Sequence, residues 1–312
     1  MCKFLYIIGN GFDIHHGINS RFSDYRKWLE NNYSDLYDTL IEYYQDATLD
    51  KWWNDFENHL AEFDVLNYAL RIGFENQPDF ASENFRECDR YVAQLKAEKN
   101  FSIFTEEIRV SLYKWISQLP MPQEPNVKIN KDYSYFLTFN YTHTLEDVYH
   151  IPSTKILHIH GSLEEEGTII YGHGTDRDII QKRVDDYFHK VPSTEHLSED
   201  EYYEIINDYE IEHSTQLAIE ATLLGVISMK KNVKELIIKN SSFFQSISGI
   251  ERVYVYGFSF SSTDLPYLEE IIRQIKTETH WVISYYSQED KIRVEDFIQR
   301  YNIQHSLLIN GL

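Results

Sequence analysis

Two glycines and two polar residues follow the first apolar run of this sequence, in the order Gly9-Asn10-Gly11 and then Asp13. Glycine allows a sharp turn and lets a phosphate approach backbone N–H groups closely. The turn is therefore a candidate pyrophosphate site, and Asp13 is a candidate contact for a ribose hydroxyl. A tight strand-to-helix turn with Asp13 as a helix cap explains the same residues, and the third glycine of the dinucleotide fingerprint is missing.

A polar residue also ends the second apolar run, where Thr138-Phe139 leads into Asn140. An asparagine amide both donates and accepts hydrogen bonds, so Asn140 could bind a ribose hydroxyl or hold a water molecule. The alternative is an Asx turn in which Asn140 caps the following helix.

A histidine pair ends the third run, and its members His158 and His160 share one face because side chains alternate along a strand. Imidazole titrates near neutral pH, which makes His160 a candidate general base. A hydrogen-bonded core histidine is the alternative. We find no carboxylate or cysteine at matching spacing, so no metal site is expected.

The fourth candidate segment runs from Gly257 through Ser259 to Asp264. Its small and hydroxyl-bearing residues suit contacts with the ribose or phosphate of an adenosine group. A helix cap by Thr263 or Asp264 is the alternative. A triad of Ser259, His160 and Asp264 can also be written, but Ser259 does not lie in the Gly-x-Ser-x-Gly elbow of α/β-hydrolases.

Strands and helices alternate along the chain, which predicts a Rossmann-like α/β fold with a mostly parallel sheet. We predict one domain over residues 1–312, with large helical inserts at about 20–119 and 176–248. Because parallel strands end at one edge of a sheet, the candidate residues should converge there. After the first strand, the predicted strands are residues 133–139, 155–160, 168–171, 251–256, 280–286 and 305–309.

Composition restricts the classes of partner and compartment. Acidic residues outnumber basic ones by 50 to 29, for a formal charge of −21, which opposes binding to nucleic acid and to anionic lipid. Two cysteines cannot form a four-thiolate zinc site or a disulfide framework. We see no signal peptide and no run near the ~20 apolar residues of a membrane helix, so a cytoplasmic protein is expected.

Four groups of residues together resemble the AbiH family of bacteriophage abortive-infection proteins. The resemblance runs almost end to end and rests on the combination of the four groups. That family is in turn similar to sirtuin-type NAD-binding domains. The matching residues are Ile7-Ile8-Gly9-Asn10-Gly11-Phe12-Asp13 with His16-Gly17, Thr138-Phe139-Asn140-Tyr141-Thr142 with Leu145-Glu146, His158-Ile159-His160-Gly161, and Gly257-Phe258-Ser259-Phe260 with Asp264.

The resemblance implies an NAD site in which Gly9 and Gly11 hold the pyrophosphate. Asn140 would lie beside the nicotinamide ribose, and His160 would be the catalytic base. The chain lacks the four cysteines of the zinc module in deacetylating sirtuins. Cleavage of the nicotinamide–ribose bond, with NAD as substrate and no metal, is therefore the implied activity. The residues that would line the adenosine half are Gly257 and Ser259.

Two other functions stay open. A nucleotide sensor without turnover would use the same pocket and act on a partner through the helical inserts. A phosphohydrolase or nuclease would need a divalent metal and a carboxylate cluster, for which only Asp13 and Asp264 are placed. The expected partners are a small-molecule nucleotide and an unidentified phage trigger, with no nucleic acid and no membrane, and a homo-oligomer is allowed.

Overall fold

One six-stranded sheet organises the part of the chain that carries the candidate residues. The computed structural model describes residues 2–79, 82–163, 167–188 and 213–312. All neighbouring strands are parallel, and their order is β3-β2-β1-β4-β5-β6. This is the order of a doubly wound dinucleotide-binding fold, so the predicted Rossmann-like α/β class is confirmed. The strands are β1 Phe4–Ile8, β2 Ser134–Thr138, β3 Ile156–His158, β4 Arg252–Tyr256, β5 His280–Tyr285 and β6 Ser306–Asn310.

Strand β1 lies at the centre of the sheet and is buried on both faces. Leu5 and Ile7 belong to the core on one face, together with Val255 of β4. Tyr6 and Ile8 belong to the core on the other face. A strand covered on both sides has no polar alternation, which is why its sequence is an unbroken apolar run.

Helices cover both faces of this sheet. One core includes Tyr267 and Phe297 from the helices after β4 and β5, and the other includes Phe12 and Leu145 from the helices after β1 and β2. The helices that the structure describes are α1 Asn10–His15, α2 Phe22–Asn32, α3 Ser34–Tyr43, α4 Asp50–Trp53, α5 Phe56–His59, α6 Val65–Glu75, α7 Val92–Ser117, α8 Thr144–Asp147, α9 Arg177–Phe188, α10 His213–Ser228, α11 Val233–Lys239, α12 Ser241–Ser246, α13 Leu265–Gln274 and α14 Gln288–Arg300. None of these helices is both long enough and apolar enough to cross a membrane.

The chain divides into two compact units. The first unit contains the sheet and comprises residues 1–32, 109–171 and 231–312. The second unit comprises residues 33–108 and 172–230 and is helical in its described part. Residues 33–108 fall within the first helical insert expected from the sequence, and residues 172–230 overlap the second, which was expected over about 176–248.

Two predicted elements differ from the structure. Residues 168–171 were expected to form a strand, and this prediction is wrong. They pair with no described strand, and Ile170 instead donates one backbone hydrogen bond to the carbonyl of His160. The third strand is shorter than the expected 155–160, since Lys155 ends a 3-10 turn before it and residues 159–160 form a turn after it. Part of the second predicted helical insert, residues 189–212, lies outside the described residues.

Candidate functional site

The glycine turn after β1 packs directly against the end of β4. A Cβ atom on Gly9 would lie 2.5 Å from the carbonyl oxygen of Gly257, and one on Gly11 would lie 2.7 Å from its Cα atom. The N–H of Gly9 donates to the carbonyl of Tyr256, and that of Gly11 donates to the carbonyl of Gly257. Close backbone packing therefore explains these glycines, and two N–H groups expected to face a phosphate are used within the fold.

Asn10, which lies between the two glycines of this turn, is held by hydrogen bonds of its side chain. Asn10 is exposed, and its amide donates to the carbonyl of Ser20 at 2.8 Å while accepting from the Ser20 hydroxyl at 2.6 Å. These contacts join the start of α1 to the chain before α2. The side chain of Asn10 thus fixes the rim of the turn on its solvent side.

Asp13 is buried on α1 and binds two threonine hydroxyls. Thr142 donates to one carboxylate oxygen at 2.5 Å, and Thr144 donates to the other at 2.8 Å. Burial raises the pKa of Asp13 to about 6, and the two hydroxyl hydrogen bonds oppose this rise. With 1 % of its surface exposed, Asp13 joins α1 to the segment that follows β2.

Asn140 lies two residues beyond the end of β2 and is buried. Its Nδ2 donates to the carbonyl of Gly9 at 3.2 Å, and its backbone N–H donates to the Thr138 hydroxyl. Within the described residues, no group donates a hydrogen bond to the buried Oδ1 atom. A buried carbonyl oxygen without a partner costs free energy, so this atom is suited to accept a hydrogen bond from a bound hydroxyl or water.

His160 lies between a lysine and an aspartate. Its Nδ1 is 3.4 Å from the Nζ of Lys231, and its Nε2 is 3.5 Å from an oxygen of Asp264. The ring packs edge-on against Phe139 and Tyr267. Burial, and then the charge of Lys231, lower the pKa of His160 well below its ordinary value. His160 is therefore neutral at pH 7, and a hydrogen on Nε2 would point toward Asp264.

Sequence reasoning missed Lys231. It lies just before α11, inside a region expected to be a helical insert, and it is 4 % exposed. A lysine is rarely buried unless it has a partner, but burial cannot be read from a single lysine in a helical pattern.

The loop after β4 carries Gly257 and Ser259, and the sequence had allowed Ser259 to form a triad with His160 and Asp264. Gly257 has a φ of +62° and donates its N–H to the hydroxyl of Ser284 at 3.0 Å. Ser259 is exposed between two buried phenylalanines and makes no described contact with His160. Of the triad considered above, only His160 and Asp264 are neighbours, so Ser259 does not complete it.

A second group of polar residues lies beside Asn140 and was not recognised from the sequence. Nε2 of His158 lies 2.8 Å from a carboxylate oxygen of Glu146 on α8, and Nδ1 of the same ring lies 3.1 Å from the carbonyl oxygen of Asn140. His143 precedes α8, and one potential ligand atom from each of His143, Glu146 and His158 lies within 4.8 Å of the others. The sequence signal was the spacing of three between His143 and Glu146.

The second unit has a cavity of different character. Four carboxylates line it, together with Arg183, whose guanidinium donates to the carbonyl of Ala61. Such a negative lining opposes the binding of a pyrophosphate. The carboxylates belong to Glu42, Asp46, Glu62 and Asp64.

A comparison with protein families finds one match over the stretch of chain that contains these groups. The sequence profile of the family described as bacteriophage abortive infection AbiH matches residues 5–285. This range is most of the chain and includes every residue of the candidate site. No protein of curated function matches the sequence. A match of this extent shows the family. The chain therefore belongs to the AbiH family, and its role is in bacteriophage abortive infection.

Proposed function

We propose that this AbiH protein binds NAD at the carboxyl edge of its parallel sheet and hydrolyses the nicotinamide–ribose bond. The observation that carries the proposal is the side chain of Asn140, which donates to the carbonyl of Gly9 while its buried Oδ1 accepts no hydrogen bond from any residue that the structure describes. Ligands of doubly wound sheets bind outside the carboxyl ends of the strands, close to the point where strand order reverses. In this sheet that point lies between β1 and β4.

Water is the only nucleophile that this reaction requires. The water oxygen forms a bond to the anomeric carbon, and the carbon–nitrogen bond breaks with its electron pair moving onto the nicotinamide nitrogen. The products are nicotinamide, ADP-ribose and one proton. Because the transition state resembles an oxocarbenium ion, groups that orient the ribose and the water lower its free energy. Asn140 Oδ1 would accept a hydrogen bond from the water or from a ribose hydroxyl.

His160 would receive the proton together with Asp264. A neutral imidazole is the form that can accept a proton, and the lowered pKa of His160 supports that form at pH 7. Lys231 faces Nδ1 and Asp264 faces Nε2, so these two neighbours set which nitrogen carries the hydrogen. Substrate binding must then bring a ribose hydroxyl or the water to this pair.

The phosphate contacts in this proposal differ from those expected at first. The N–H groups of Gly9 and Gly11 are bound to backbone carbonyls, so the pyrophosphate would lie against the outer side of the turn at Asn10. Gly257 and the exposed Ser259 remain the proposed contacts of the adenosine half. Asp13 would act indirectly, because it holds the segment that carries Asn140.

The direct test follows free nicotinamide from NAD with the purified full chain, alone and with a phage lysate. We expect release by wild type, and a loss of at least a hundredfold in the variants Asn140→Ala and His160→Ala. The exposed residues Asn126 and His280 offer matched controls, Asn126→Ala and His280→Ala, which should retain activity. A folded wild-type protein that binds NAD and never releases nicotinamide contradicts the enzyme proposal.

A nucleotide sensor without turnover is the second candidate, and the burial of the chemical groups favours it. His160 is 3 % exposed and Asn140 is 7 % exposed. Binding of NAD measured by calorimetry, together with no nicotinamide release under any of the conditions above, would support the sensor. Protection of cells that is unchanged by both alanine variants would contradict both candidates at this site.

A further inference from the structure

The cluster beside Asn140 has the composition of a metal site. Two imidazoles and one carboxylate face one another, and the Nε2 atom of His158 and an oxygen of Glu146 are 2.8 Å apart. Ligand atoms bound tetrahedrally to one Zn²⁺ lie roughly 3.4 Å apart, because each bond is about 2.0–2.2 Å long. The pair formed by Nε2 of His158 and the Glu146 oxygen is closer than that separation, and the other pairs are at most 4.8 Å apart, so side-chain movements would bring the three atoms to coordinating distances. We propose that His143, Glu146 and His158 bind a divalent transition-metal ion of the Zn²⁺ class.

The orientation of His158 suits a ligand. Its Nδ1 lies 3.1 Å from the carbonyl oxygen of Asn140, so a hydrogen on Nδ1 is satisfied there. That hydrogen bond leaves Nε2, the atom beside Glu146, as the one that carries either a proton or a metal. Histidine ligands commonly donate their second N–H to a backbone carbonyl in this way, which fixes the ring and its tautomer.

The side chains of Glu146 and His143 each have an atom available to coordinate an ion. Oxygen Oε2 of Glu146 is buried and accepts no hydrogen bond from a described residue. The ring of His143 contacts the ring of His158 at 5.7 Å between centroids and, within the described part of the chain, makes no hydrogen bond. A salt bridge between Glu146 and His158 alone would give neither Oε2 nor His143 a role.

The backbone on both sides of His143 is fixed by hydrogen bonds to a buried carboxylate. Its two neighbours, Thr142 and Thr144, both donate hydroxyl hydrogen bonds to the buried carboxylate of Asp13. A ligand on a fixed backbone loses little entropy on binding, and such supporting groups commonly change metal affinity by about 10–100-fold. Three protein ligands leave a fourth position for water or a substrate oxygen, which is the arrangement of catalytic zinc sites. The proposal is independent of NAD cleavage.

The test uses the full chain after removal of metal by a chelator and dialysis. Titration with ZnCl₂ in a calorimeter should give one tight site per chain, and Co²⁺ should give visible d–d absorption. His143→Ala should weaken binding at least tenfold, because it removes a ligand whose ring makes no hydrogen bond to any other residue in the described ranges. His150→Asn is the matched control, since His150 is exposed and has a φ of 54°, which asparagine tolerates. Zn²⁺ binding by His143→Ala that equals wild type overturns the proposal, as does wild type without a tight site.

A second variant and a second measurement cover a failure of His143→Ala to fold. Glu146→Gln keeps the shape of the side chain and removes its charge, and it should also weaken Zn²⁺ binding at least tenfold. X-ray absorption at the zinc edge of the wild-type protein should show two imidazoles and oxygen ligands. Sulfur in that shell would place the ion at Cys2 or Cys88 and would overturn the assignment.

Discussion

Removal of the buried charge at Asp13 should change how the stability of this protein depends on pH. The carboxyl is 1 % exposed, and its pKa is raised from 3.8 to about 6 in the folded chain. A raised pKa means that the folded state holds the proton more firmly than the unfolded state does. The stabilisation is complete below about pH 4 and is lost as the pH rises through about 6. The difference in pKa corresponds to roughly 3 kcal/mol in total.

The accessible part of this effect lies between pH 5 and pH 8. Over that interval the two pKa values give a loss of about 1 kcal/mol in the free energy of unfolding. Asp13→Asn does not titrate, and its amide oxygen can still accept a hydrogen bond from Thr142 or Thr144. The free energy of unfolding of wild type minus that of the variant should therefore fall by about 1 kcal/mol from pH 5 to pH 8. Contributions of other groups cancel in this difference.

Urea unfolding followed by tryptophan fluorescence measures these free energies, because Trp281 is buried in the unit that contains Asp13. A chelator keeps cations away from the histidines beside this site. Asp132→Asn, at an exposed position, controls for the loss of one negative charge. A wild-type minus variant difference that stays constant, or rises, between pH 5 and pH 8 would refute the reasoning. It would show that the two threonine hydroxyls fully offset the cost of burial.

Two further predictions concern stability, in addition to those on nicotinamide release and metal binding. Gly257→Ala should lower the free energy of unfolding by about 3 kcal/mol or more, because its Cβ would lie 2.2 Å from a backbone nitrogen of α1. Gly17 also has a positive φ, but a Cβ there would meet no described atom within 4 Å, so Gly17→Ala should lower it by about 1 kcal/mol. Equal midpoints of thermal unfolding for the two variants would contradict the packing argument. Tyr149→Phe should cost about 2 kcal/mol by urea unfolding, because its hydroxyl bonds His16 at 2.7 Å and the Val127 N–H at 3.1 Å. A cost near zero would show that water replaces both bonds.

The sheet could be predicted from the sequence because its signals are local. The apolar run of β1 and the glycine at the end of β4 are each visible within a dozen residues. A mostly parallel sheet then follows from the alternation of strands and helices, whereas the order of the strands is seen only in the structure. The expected strand at 168–171 was wrong, since a short apolar stretch does not reveal whether a neighbouring strand edge is available to it.

The contacts of the candidate site could not be predicted in the same way. Gly9 and Gly11 show the same pattern whether they face a phosphate or the backbone of Gly257, and only the fold decides between them. His143 and Glu146 are three residues apart, but His158 reaches them because β2 and β3 pair with Thr138 opposite His158. Pairing register is a property of the sheet rather than of any one segment.

The central position of β1 has a consequence for synthesis of the chain. Its neighbours β2 and β4 pair with it at Phe4↔Ser134 and Phe4↔Arg252. At about 5–20 residues per second, the ribosome makes β4 roughly 12–50 s after β1. Strand β1, the most apolar strand of the sheet, therefore has one edge unpaired until both helical inserts have been synthesised. Non-local pairing of this kind makes folding slow and leaves the growing chain dependent on whatever shields that strand in the meantime.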